Sequence, residues 1–109
     1  MATLAVIDPV LEGVVFTPVA AAAGGDQFPN DGNTLLYVNN GSGAPITVTI
    51  VAQYVDGNVP LTDVATAVAA GGARIFGPFP TRYFNNALGL VSLTYSGVTT
   101  LTVKPFRQR

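Results

Sequence analysis

Cysteine, histidine and tryptophan are missing from this 109-residue chain, and charge is scarce. Without cysteine or histidine there is no Ser-His-Asp or Cys-His nucleophile, no zinc site built on those ligands and no thiol redox chemistry. No disulfide can staple the fold, so cysteine usage carries no information about compartment. Charged residues make up 10% of the chain, well under the roughly 25% of typical soluble domains. Long hydrophobic runs are lacking too. The longest, residues 19–23, falls far short of the roughly 18 residues that suggest a membrane span. The apolar block at residues 4–7 has no basic residue before it and stops at Asp8-Pro9, unlike a signal peptide.

Apolar residues are plentiful, at 49% of the chain. Disorder requires low hydrophobicity and high charge, so this composition predicts a folded chain. Its length suits one domain, and a domain of this size buries roughly two thirds of the surface its unfolded chain exposes.

The few charges are ordered along the chain. All six acids (Asp8, Glu12, Asp26, Asp31, Asp56 and Asp63) precede residue 64, and all five bases (Arg74, Arg82, Lys104, Arg107 and Arg109) follow residue 73. The net charge of −1 offers neither the basic excess nor the dense stripe of a nucleic-acid binder. Two readings of the segregation stay open. The signs intermix once the chain folds, or an acidic patch meets a neighbour's basic patch and sets orientation.

Periodicity and punctuation predict strands throughout. Residues 45–54 alternate: Ile46, Val48, Ile50, Ala52 and Tyr54 point one way, Thr47, Thr49, Val51 and Gln53 the other. Residues 34–39 are apolar on both parities, which predicts a strand covered on both faces, joined to the next by a hairpin loop at residues 40–44. Asp56-Gly57-Asn58 marks a turn. Gly71-Gly72 fits a two-residue hairpin between residues 64–70 and 73–78, with Val68 opposite Ile75 and Ala69 opposite Arg74. A three-residue loop, Ser96-Gly97-Val98, predicts a last hairpin with Leu93 opposite Leu101 and Val91 opposite Val103. Residues 13–17 read as a first strand stopped by Pro18, residues 20–32 as a long loop, and Pro105 as the end of the final strand. About seven or eight short strands with frequent turns predict an all-β, antiparallel β-sandwich, jelly-roll or immunoglobulin-like. The organisation expected is an extended N-terminal arm over residues 1–12, one sandwich domain over 13–106 and a basic tail over 107–109.

Chemistry has few candidates. Residues 26–33 offer oxygen ligands for calcium but lack the D-x-D-x-D-G order and distal glutamate of an EF-hand loop, and Asp, Asn and Gly are ordinary turn residues. Asp56 with Asp63 could pair as in a glycosidase, yet no pocket-forming segment accompanies them. Tyr54, Tyr83 and Phe84 suggest either a sugar platform or core and interface aromatics. Gly71-Gly72 has no helix after it and so lacks the geometry of a phosphate cradle. No catalytic residue, metal or cofactor is expected. Arg74, Arg82, Arg107 and Arg109 are the candidates for partner contact.

Gly24-Gly25-Asp26-Gln27-Phe28-Pro29-Asn30-Asp31-Gly32, then Leu35-Leu36-Tyr37-Val38-Asn39-Asn40-Gly41-Ser42 and Ile46-Thr47-Val48-Thr49, resemble small virion proteins of tailed bacteriophages. Val68-Ala69-Ala70-Gly71-Gly72-Ala73-Arg74-Ile75-Phe76-Gly77-Pro78-Phe79 and Val91-Ser92-Leu93-Thr94-Tyr95 continue the likeness, which spans residues 24–104 and leaves residues 1–23 outside it. The resemblance implies a β-sandwich that decorates or cements a capsid shell, commonly as a trimer, with the major capsid protein as partner, the virion as its location and no catalytic residues. A neck or tail connector component, or a carbohydrate-binding module for host attachment, are the alternatives. Low charge with many apolar residues suits a subunit whose surface neighbours cover.

Overall fold

Among the described residues, alternation of apolar residues along short, β-branched segments resolves into eleven strands and one helical turn. In chain order these are β1 (Ala2–Thr3), β2 (Val19–Ala20), β3 (Asp26–Pro29), β4 (Thr34–Asn40), β5 (Ile46–Ile50), β6 (Val55–Asp56), β7 (Val59–Pro60), β8 (Val64–Val68), β9 (Ala73–Phe76), α1 (Thr81–Phe84), β10 (Leu90–Tyr95) and β11 (Leu101–Arg107). The structure, a computed structural model, describes residues 2–8, 13, 15–53, 55–56, 59–60 and 62–107.

Two sheets carry the architecture. One has the order β1-β3-β10-β5-β8, the other β2-β11-β4-β9, and β6-β7 forms a separate two-stranded ribbon. All pairings between these strands are antiparallel except β1 with β3. The sheets face each other as a β-sandwich, so the all-β expectation holds. Inward positions on β5 are Ile46, Val48 and Ile50, the alternation read from the sequence. They meet Leu36 and Val38 of β4 and Leu101 and Val103 of β11, each at most 1% exposed. Burying each such side chain contributes about 1.5–3 kcal/mol, so the sheet-to-sheet interior is the main source of stability. The strand β4 lies between β11 and β9, and its outward Leu35, Tyr37 and Asn39 are half-buried too, as its apolar character on both parities requires.

The hairpins expected from the turns are not hairpins. β4 and β5 lie in different sheets, and so do β8 and β9, and β10 and β11. Val68 pairs with Ile46 and Ile75 with Tyr37, instead of with each other. Leu93 pairs with Ile50, and Leu101 with Asn40. The turns are corners that carry the chain from one sheet to the other, jelly-roll fashion, because each strand must bury its apolar side against the opposite sheet. At residues 69–72 the Gly72 N–H donates to the Ala69 carbonyl (2.9 Å), and Gly71 takes φ +71°. That positive φ at the third turn position is the demand a type II turn makes of glycine.

The segment read as an arm belongs partly to the sandwich. Leu4 N–H donates to the Gln27 carbonyl at 2.7 Å, and the Leu4 side chain is 6% exposed within the core. Three residues later the chain has crossed to the other sheet, where Ile7 bridges Phe106. Residues 2–8 therefore close one side of the sandwich; residues 9–12 lie outside the described residues. Residues 13 and 15–18 form no strand, and the short β2 begins after Pro18. Within the expected long loop of residues 20–32, β3 carries the core residue Phe28. Pro105 does not end β11, which continues to Arg107. Its carbonyl faces Ile7, away from β4 (Ile7 N–H to Pro105 O, 3.2 Å), so the missing proline N–H removes no bond from the β11–β4 ladder.

Candidate protein-contact surface

The four arginines named from the sequence do not form one patch. Arg74 stands exposed on the edge strand β9. Arg82 is exposed on α1, with its guanidinium carbon 5.6 Å from the Tyr83 ring centroid. Arg109 lies outside the described residues. Arg107 is not a solvated tail residue: it is the last residue of β11, about a third exposed, and it holds two carboxylates of its own chain. Its Nη1 donates to Asp8 Oδ1 at 2.7 Å, and its Nε lies 2.9 Å from Asp31 Oδ2. Acids from the first part of the chain and a base from the last meet here, so the signs intermix in the fold. The Asn33 N–H bonded to Asp31 (2.9 Å), then Arg107 and the Thr34 hydroxyl, hold the Asp31 carboxyl below the usual carboxylate range. The network ties the N-terminal segment to β11.

Candidate ligand-binding carboxylates are likewise engaged within the fold. Asp26, 1% exposed, accepts from the Tyr95 hydroxyl at 2.6 Å and from Ala22 N–H at 3.2 Å. Asp63 accepts from Ala52 N–H at 2.8 Å, and the side chain of Asp56 is outside the described portion. Among the described residues, no group of three or more acidic side chains could hold a metal ion. Of the three aromatics read either as a sugar platform or as core and interface residues, Phe84 turns its edge to Phe79 (6.0 Å between centroids) and packs on the core, while Tyr54 is outside the described residues.

Burial pushes the Tyr95 hydroxyl pKa up, and the bond to the Asp26 carboxylate and its negative charge push it further. The folded value lies above the unfolded value of about 10, so Tyr95 contributes stability that is complete below that pH and declines as pH rises through it. Absorbance near 295 nm is expected to show Tyr95 ionising only as the chain unfolds. Tyr95→Phe should remove that step while lowering stability at neutral pH. A Tyr95 that titrates reversibly in the folded chain near pH 10 contradicts the buried pair.

One surface was not singled out from the sequence. On the outer side of the β2-β11-β4-β9 sheet, Ile75 of β9 is paired with Tyr37 of β4, which is paired with Lys104 of β11. Two residues along the ladder, at the next outward position, Leu35 faces Phe106. Phe16 lies across this face, edge-on to Tyr37 at 5.2 Å and to Phe106 at 6.1 Å. Exposure is high for apolar groups: 63% for Ile75, 42% for Phe16 and 81% for its neighbour Val15. Lys104 is the cation set among them. The signal in the sequence was the outward parity of Leu35, Tyr37, Ile75 and Phe106, which only the strand pairing brings together.

The surface is apolar apart from Lys104 and is held on paired strands. The chain matches no family model, no curated protein and no solved structure.

Proposed function

We propose that this chain is a bacteriophage virion structural protein that decorates or cements a capsid shell, binding the major capsid protein by contact area and transforming no substrate. The observation that carries the reading is the outer face where Ile75 and Phe16 stand exposed beside half-buried Tyr37 and Phe106 on paired strands. The resemblance of residues 24–104 to small virion proteins supplies the identity of the partner, and the low charge of the chain agrees with a surface that neighbours cover. Repetition of one modest contact over a symmetric shell raises total attachment without new contacts.

Binding to assembled shells of the phage that encodes the chain tests the proposal. Wild-type protein is expected to co-sediment with shells at a copy number comparable to that of the shell protein. Ile75→Lys should leave folding stability within about 0.5 kcal/mol, because the side chain is already exposed. It should weaken shell binding at least about tenfold, equivalent to roughly 1.4 kcal/mol. Unchanged binding by a folded Ile75→Lys variant removes the proposed face, and a few copies per particle moves the chain to the neck.

A further inference from the structure

Sheets end in strands whose outer N–H and C=O groups pair with nothing, and such edges recruit other chains unless they are short, charged or interrupted by proline. This sandwich has four. The edges β1 and β2 are two residues each, and β9 carries Arg74 inside its four residues. The fourth edge, β8, has five residues, Val64-Ala65-Thr66-Ala67-Val68, with no charge and no proline. Among the described residues no strand pairs with its far side.

The β8 sequence reads the same in both directions. An antiparallel pair of identical strands related by a two-fold axis needs this property, because residue i must suit residue j while j suits i. With Thr66 on the axis, Thr66 faces Thr66 of the second copy, Ala65 faces Ala67, and Val64 faces Val68. Each pair matches in size, and β-branched residues meet β-branched residues, the favoured cross-strand combination. Charge is compatible as well. The nearest acid, Asp63, falls opposite Ala69 of the second copy, so its like charge is not opposed. The inward-facing Val64, 44% exposed in one chain, borders an open apolar groove of about 200 Å³ with Ile50, Phe76 and Phe84. A second copy would bring its Val68 end to this rim.

We propose that β8 is a homodimerisation edge at which two copies join their five-stranded sheets through antiparallel pairing centred on Thr66. The occupant is a second copy because the strand complements itself residue by residue. Five residues a side bury less than the roughly 800 Å² per partner of a standard interface, so the dimer is expected to be weak and concentration-dependent. The inference does not depend on the proposed virion role.

Sedimentation of the full chain over a range of concentrations is expected to show a monomer passing to a species of twice its 11.2 kDa mass. Ala65→Lys combined with Ala67→Lys should hold it monomeric, since each lysine then faces another. Ala65→Lys combined with Ala67→Glu should restore the dimer, because the register sets residue 65 against residue 67. Thr66→Cys gives the chain a cysteine opposite its own copy, at the roughly 4.5–5.5 Å Cα separation of facing residues, which a disulfide spans. Mild oxidation should cross-link it at least about tenfold faster than Ala65→Cys, whose cysteines face alanine. The Thr66→Cys comparison also decides the matter if the lysine pair disturbs folding. Equal cross-linking at the two positions overturns the proposal, as does a trimer or other assembly that the lysine pair leaves intact.

Discussion

Phe28→Ala is expected to destabilise the chain by about 4 kcal/mol, in the range measured for large aromatic deletions in cores. Phe28 is fully buried on β3, with Val91 beside it in the ladder and the Phe79 ring at 5.6 Å. Phe79 in turn meets the edge of Phe84 at 6.0 Å. Truncation removes the fully buried end of this aromatic row, and paired strands cannot collapse into the space. Domains of this kind have about 5–15 kcal/mol of total stability, so the variant should lose a large fraction of it and melt about 20 °C lower. Urea and thermal unfolding followed by circular dichroism would measure this. A loss below about 1 kcal/mol would show that the ring is not in the core.

Asn40→Ala is expected to cost about 3 kcal/mol by a different mechanism. Asn40, fully buried at the end of β4, makes four side-chain hydrogen bonds. Its Nδ2 donates to the Ala44 carbonyl at 2.8 Å and to the Val68 carbonyl of β8 at 3.0 Å. Its Oδ1 accepts from Ser42 N–H at 3.0 Å and from the Ser42 hydroxyl at 2.6 Å. The amide thus shapes the β4–β5 corner and ties one sheet to the other. Alanine leaves the Val68 carbonyl without this donor, and an unsatisfied buried group costs more than a hydrogen bond gains. Ser42→Ala, at a half-buried position in the same corner, should cost about 1 kcal/mol or less. Equilibrium unfolding of the two variants side by side, with hydrogen exchange over residues 40–46 and 64–68, checks the ranking. Equal losses would mean that the corner, not the link between sheets, is what Asn40 supports.

The corner also explains a glycine. A Cβ on Gly41 would lie 2.9 Å from Thr100 Cγ2 and 3.2 Å from the Thr100 carbonyl oxygen, which accepts the Gly41 N–H at 2.9 Å. Two sheet-to-sheet corners touch there. Read locally, Asn40-Gly41-Ser42-Gly43 was only a turn; the reason for its composition is a contact with a loop far along the chain.

Other elements show where local reading stops. Inward and outward faces of β4 and β5 were legible because alternation is a property of a single strand. The short strand inside residues 20–32 was hidden by its flanking glycines, proline and acids, and Asp26 in particular looked like a loop ligand. Its burial depends on Tyr95, which no local pattern connects to it. Arg107 was read as part of a basic tail for the same reason: its carboxylate partners Asp8 and Asp31 are remote in sequence. The apolar contact face escaped notice because its members come from three strands and a crossing segment. The unguarded β8 edge, by contrast, is a sequence property, a short palindrome without charge. It acquired meaning only once β8 proved to be terminal in its sheet.

Composition and alternation by themselves determined an all-β chain with a substantial core and without cysteine or histidine chemistry. Tertiary structure alone decided which strands are neighbours, which carboxylates are paired and which apolar residues remain outside. The physical reason is that side-chain alternation specifies a buried face, whereas backbone hydrogen bonds are the same for every residue and carry no address. A glycine turn serves equally as a hairpin or as a corner between sheets. The choice falls to whichever closure buries the apolar faces of all the strands at once.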